Sequence, residues 1–213
     1  MMKVVPRRER EIAHARTDIA EAAIRAFARV GLNNATMQDI AREAGYTAAS
    51  LYTYFKSKQE IVDAMVTLLT DEFIQIFDQP MPSGLSFRQR FELLLQHQLE
   101  LVDKRHNIVV GFLSDHTNES MCATDETGRA FHENFERRIA RVAAWLKENA
   151  KTDEIGGYPP DLLARALFGM AFGLMHRWGA EADQEPFTKY APLITDLFFD
   201  GVSGKTKPGA RKK

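Results

Sequence analysis

Apolar residues recur at intervals of three and four positions along most of this 213-residue chain, the period that turns one stripe of a helix inward. Over residues 10–30, Ile12, Ile19, Ala23, Phe27 and Val30 fall near one face and Gly31 supplies a stop, so the pattern predicts a first helix. Thr36 with Asp39 is a capping pair for a short second helix, MQDIAREA, which Gly45 ends. Thr47 caps a third, AASLYTYF, and Ser57 with Glu60 opens a fourth running to about Phe77. DQPMPSGLS (78–86) reads as a linker whose Ser86 caps the next helix. Apolar stripes then mark 87–104, 107–118 and 125–150, the last carrying Phe131, Phe135, Ile139, Val142 and Leu146. Pro159 and Pro160 start a helix over 161–179, and a final helix ends near Phe199. The expected fold is all-α, with about nine helices: a helix-turn-helix head over 1–56, a helical-bundle body over 57–203, and a basic, disordered tail over 204–213.

Composition adds exclusions more than assignments. With 45% apolar and 27% charged residues the chain reads as an ordinary globular protein. No apolar run approaches the roughly 20 residues that span a bilayer, and no apolar block follows MMKVVPRRERE, so a cytoplasmic protein without a membrane partner is expected. The single cysteine, Cys122, excludes an internal disulfide framework and a cysteine-based zinc site. Its polar surroundings argue only for exposure, too little for a thiol sensor. Charge is uneven. Residues 1–60 carry ten Lys/Arg against seven Asp/Glu, residues 61–204 thirteen against twenty-two, and 205–213 five basic residues alone. A basic head on an acidic body suits a head that meets a polyanion.

Two short helices joined through a glycine are the helix-turn-helix pattern. Ile40, Ala41 and Ala44 on one, with Leu51 and Phe55 on the other, are expected to bury against Ile24 and Phe27 of the first helix. Thr36 and Thr47 then stand at helix N-termini, whose free amide groups suit phosphate. Three blocks, I-x-x-A-A-x-x-x-F-x-x-x-G (19–31), T-M-x-x-I-A-x-x-A-G (36–45) and S-L-Y-x-Y-F-x-S-K-x-E-I (50–61), resemble the tetracycline-repressor (TetR) family of bacterial transcription regulators in order and spacing. Beyond residue 65 only the helical layout is similar.

That resemblance implies a DNA face at Thr36, Gln38, Thr47, Ala48, Ala49, Ser50, Tyr52, Thr53, Tyr54 and Lys58. Thr36, Thr47, Ser50, Tyr54 and Lys58 would hold phosphates, which fixes position but carries no sequence information. Gln38 can pair with adenine, Ala48 and Ala49 can meet thymine methyls, and Tyr52 can lay its ring on a base edge. The plainer alternatives are Tyr52 as a packing residue, the hydroxyls as caps alone, and Lys58 as a solvated lysine. Tyr46 stands where the family usually has a small aliphatic residue. Arg7, Arg8 and Arg10 precede the first helix and either reach DNA as an arm or stay solvated.

The body shows no Gly-rich phosphate loop, G-x-S-x-G or H-E-x-x-H motif, so neither an enzyme nor a cofactor or metal is expected. His132 and Glu136, one turn apart, are an ordinary surface pair. The resemblance implies a pocket for a small-molecule effector, with Phe91, His97, Phe112, His116, Phe135, Phe172 and Met175 as candidate lining. Gly169 and Gly173, spaced four apart, permit close helix approach, and with Leu162, Arg165, Leu193 and Leu197 they suggest a homodimer interface; an internal core helix is the alternative. The expected protein is a dimeric repressor on a roughly palindromic DNA operator, released by its effector. A regulator of the same fold governed by a protein partner, or an activator, is the alternative.

Overall fold

The computed structural model describes residues 6–114, 126–181 and 185–203. The described residues form nine α-helices and no strand: α1 (Arg7–Val30), α2 (Met37–Ala44), α3 (Ala48–Leu51), α4 (Lys58–Gln75), α5 (Phe87–Lys104), α6 (His106–Ser114), α7 (Glu126–Asn149), α8 (Pro160–Gly179) and α9 (Ala191–Ser203). Two 3-10 turns, Ile76–Asp78 and Phe187–Tyr190, supplement them. The fold is all-α, as the periodicity predicts.

The caps explain the helix starts. Thr36 and Asp39 form a reciprocal capping box, and Gly45 ends α2 in the left-handed conformation at φ 74°. Thr47 accepts the Ser50 amide, and Ser86 with Gln89 repeats the capping box at α5. Ser57 accepts the Glu60 amide at 3.2 Å, but the Glu60 carboxylate takes the amide of Lys56 instead of that of Ser57.

Three expectations need correction. Helix α1 begins at Arg7, so Arg7, Arg8 and Arg10 lie in its first turns and form no free arm; Pro6, with φ fixed near helical values, launches it there. Ile12 is 41% exposed and takes no part in the core. The third helix is also shorter than AASLYTYF. After Leu51 the bonds tighten to Thr53 N–H→Ser50 O and Tyr54 N–H→Leu51 O, as expected where a β-branched residue between two aromatics follows.

The chain divides into two compact units. One gathers the described residues up to Asp71 with those of 107–134; the other gathers 72–106 with those from Phe135 onward. The 1–56 head lies inside the first unit, whose core joins Ile19, Ile24 and Phe27 of α1 to Ile40, Leu51 and Phe55. Ile61, Val62, Met65 and Val66 of α4 are buried in that same core. The second unit packs Phe91, Ile139, Trp145, Leu146, Phe198 and Phe199. Phe91 and Phe198 stack at 4.7 Å between ring centroids.

Candidate nucleic-acid interface

Burial of Ile40 and Ala41 on α2 and of Leu51 after Thr47 sets which side chains turn outward. Thr36, Gln38, Thr47, Ala49, Ser50 and Thr53 are exposed, and Ala48 and Tyr54 half-buried. Tyr52 is 54% exposed, which removes the alternative that it serves only as a packing residue. These nine of the ten candidate residues are thus exposed or half-buried. Lys58 is used differently.

The hydroxyls carry the caps. The Thr36 hydroxyl and amide both donate to Asp39 Oδ2, at 2.5 and 3.0 Å, and Thr36 Oγ1 accepts the Asp39 amide at 3.2 Å. These bonds from Thr36, with Arg42 adding a smaller pull, hold the Asp39 carboxyl below the usual carboxylate range. Thr47 Oγ1 lies 2.9 Å from Ser50 Oγ and accepts the Ser50 amide at 3.1 Å. A hydroxyl keeps a second lone pair, so a cap leaves capacity for a further partner.

Three supports of this surface were not evident from spacing. The Tyr46 ring meets Tyr54 edge-on at 5.6 Å, and burial holds its phenol above the ordinary value, with Tyr54 adding to the rise. The large residue at this position is therefore used, bracing Tyr54 from the turn. Arg16 of α1 donates to the carbonyl of Tyr54 and lies over the Phe55 ring. Its place three residues before Ile19, on the buried face of α1, was the available signal. The Lys58 ammonium donates to the carbonyls of Leu32, Asn33 and Ala35 at 2.8, 3.0 and 3.1 Å.

The candidate pocket residues differ in burial. Phe91 is locked in the core, while Phe172 is 38% exposed on the outer face of α8. His97, Phe135 and Met175 are half-buried; Phe112, His116 and Cys122 lie outside the described side chains. A cavity of about 320 Å³ opens elsewhere, beside Phe77, Leu85, Arg90, Arg141, Trp145 and Asn149. Arg138 places its guanidinium 5.5 Å from the Phe73 ring centroid, and burial lowers its pKa to about 10.

The outer face of α8 and α9 is apolar and uncovered in the single chain. Leu163, Ala164 and Trp178 point inward, whereas Leu162 and Leu197 are 55% and 52% exposed and Leu193 is similarly open. A Cβ added at Gly169 or Gly173 would meet nothing within 4 Å. Helix α8 thus buries one face in the core and leaves the other open. Arg165, on the same helix, holds Glu136 in a bidentate pair at 2.9 and 2.7 Å. Among the described residues no helix is long and apolar enough to cross a membrane.

Residues 19–65 match the family described as bacterial regulatory proteins, tetR family. The chain is 34% identical to the HTH-type transcriptional repressor KstR2 of Rhodococcus jostii over 44% of its own length and 46% of that protein's. It is 23% identical to the fatty acid metabolism regulator protein of Bacillus subtilis over 88% of itself and 95% of that chain. The solved structure of the B. subtilis transcriptional regulator FadR in complex with stearoyl-CoA shares its fold, with a TM-score of 0.72 at 19% identity over 87% of this chain and 98% of that one.

Proposed function

Because the chain belongs to the tetR family of bacterial transcriptional regulators, we propose that it is a cytoplasmic homodimeric repressor that leaves a roughly palindromic operator when a small molecule fills its body. The observation that carries the DNA side of this reading is the exposure of Gln38, Tyr52, Thr47 and Ser50 around two short helices that bury Ile40, Ala41 and Leu51. Gln38 reads a base, Ala48 and Ala49 meet thymine methyls, and Tyr52 lies on a base edge with Thr53 beside it. Thr36, Thr47, Ser50 and Tyr54 hold phosphates. The similarity to a named repressor supports the sign of the regulation.

The uncovered stripe of Leu162, Gly169, Phe172, Gly173, Leu193 and Leu197 supports the dimer, through a pairing of α8 and α9 with their copies. A twofold pair places two heads on half-sites one helical turn apart or a multiple of it. For the effector we favour a fatty acyl thioester. A regulator of fatty acid metabolism aligns with nearly the whole chain, and a neighbour of the same fold was solved with stearoyl-CoA. Control by a protein partner draws on a different observation, the filling of the second unit's core by Phe91, Phe198 and Phe199.

Selection of bound fragments from the source genome at two salt concentrations tests the first part, since affinity for an inverted repeat falls steeply with salt where phosphates are neutralised. Titration of the recovered operator complex with acyl-CoAs of increasing chain length tests the second. Release by a long acyl-CoA but not by free coenzyme A is expected. Release by neither, with tight operator binding, would turn the search to a protein partner.

A further inference from the structure

We propose that Lys58 is a positioning residue for DNA recognition: its ammonium staples the turn before α2, so setting Gln38, and does not serve as a phosphate contact. The proposal rests on the reading of α2 as part of the DNA face.

An ammonium has three N–H donors and no acceptor. All three directions of Lys58 Nζ are occupied, by Leu32 O, Asn33 O and Ala35 O at 2.8, 3.0 and 3.1 Å. Lys58 stands three, four and seven residues before Ile61, Val62 and Met65, all buried, so it lies on the inward face of α4. Lys58 is half-buried, and its head reaches the carbonyls of the turn.

The turn needs such a partner. Gly31 leaves α1 at φ 84°, and of the residues that follow, Ala35 returns its amide to Gly31 O at 3.2 Å. The carbonyls of Leu32, Asn33 and Ala35 converge on a single point, an arrangement that is repulsive unless a cation or donor fills it. Ala35 is buried, the next residue is the α2 cap Thr36, and Gln38 follows two positions later. A residue at the first position of α4 therefore fixes where α2 begins and how Gln38 is presented. A phosphate could recruit Lys58 only by taking a proton donor away from one of these carbonyls.

Arginine separates the two roles. Its planar fork keeps the charge and suits phosphate, but it cannot aim three N–H bonds at three converging carbonyls from the position of one nitrogen. The experiment uses the full chain with Lys58→Arg and Lys58→Met. It measures hydrogen exchange across residues 31–36 in the free protein, and affinity for operator and for random duplex over a salt series, with thermal melting as the control for folding.

Both variants are expected to melt cooperatively near the wild-type temperature and to exchange faster across 31–36. Operator affinity is expected to fall about tenfold or more, the scale of a lost base contact, while random-duplex affinity and the salt slope hold. Two results would overturn the proposal. One is unchanged exchange at the turn in both variants. The other is an Arg variant that behaves as wild type beside a Met variant whose salt slope drops by about 0.9, the mark of one lost phosphate contact, with operator and random DNA weakened alike. If Lys58→Met fails to fold, Lys58→Arg decides alone. If the wild-type chain binds no DNA, the functional reading has failed, and the exchange data still decide the staple.

Discussion

The guanidinium of Arg16 lies 4.0 Å from the centroid of the Phe55 ring. The same side chain donates to the carbonyl of Tyr54, at the end of the segment that follows α3. One cation on α1 thereby binds both a buried ring and a main-chain acceptor where regular helical bonding has ceased. Replacing it with methionine keeps most of the apolar stem but removes both interactions. A cation over an aromatic face contributes about 0.5–2 kcal/mol, so Arg16→Met should lower unfolding free energy by roughly 1–2 kcal/mol in urea. Arg16→Lys should recover part of that loss.

The stripe on α8 and α9 predicts a separation of folding from assembly. Leu197 is 52% exposed and Gly173 faces open space, so neither position is filled by the chain's own atoms. Leu197→Arg and Gly173→Trp should therefore leave helix content and the folded single chain intact. Light scattering should report a dimer for the wild type and a monomer for each variant. A persistent dimer in both would place the interface elsewhere.

Acid should loosen the head through Asp39. Hydrogen bonds from Thr36 depress its pKa in the folded chain. A carboxylate with a depressed folded value contributes stability that is complete above its unfolded value, about 3.9, and is lost as pH falls through the lower folded value. Asp63 carries the opposite sign, because burial raises its pKa, and its charged form opposes folding above the unfolded value. Asp39→Asn should flatten the low-pH arm of a stability profile, whereas Asp63→Asn should stabilise the chain near neutral pH. Denaturant midpoints followed from pH 3 to 7 check both.

Much of the head was legible because its signals are local. Thr36 with Asp39, Gly45 and Thr47 act within four residues of themselves, and the inward phase of Ile40 and Ala41 dictates that Gln38 faces out. Lys58 and Arg16 were not legible in this way. Their partners lie 23 to 38 residues away along the chain and are main-chain carbonyls, which have no residue identity to read. Which of the candidate pocket residues are buried was not legible for a related reason. Phe91 and Phe172 have the same residue type and helical setting, and only the packing against Phe198 makes one a core residue and leaves the other outside. Glycine at positions 169 and 173 was the signal behind the dimer expectation, because it is costly in a helix unless something approaches closely.

Tyr46 offers a test of how the turn governs the phosphate-holding side of the face. Its ring braces Tyr54 edge-on at 5.6 Å, in a place where the resemblance led us to expect a small aliphatic residue. Aromatic pairs of this geometry add about 0.5–1.5 kcal/mol beyond burial. Tyr46→Val removes the brace, and Tyr46→Phe keeps the ring while removing the hydroxyl. If the ring is what matters, the valine variant should lose about 1 kcal/mol of stability and the phenylalanine variant very little. Because Tyr54 is assigned to a phosphate, which carries no sequence information, the valine variant should weaken operator and random duplex by the same factor. A loss confined to the operator would instead put Tyr54 among the residues that read bases. Competition binding with the two duplexes at one fixed salt concentration distinguishes these outcomes.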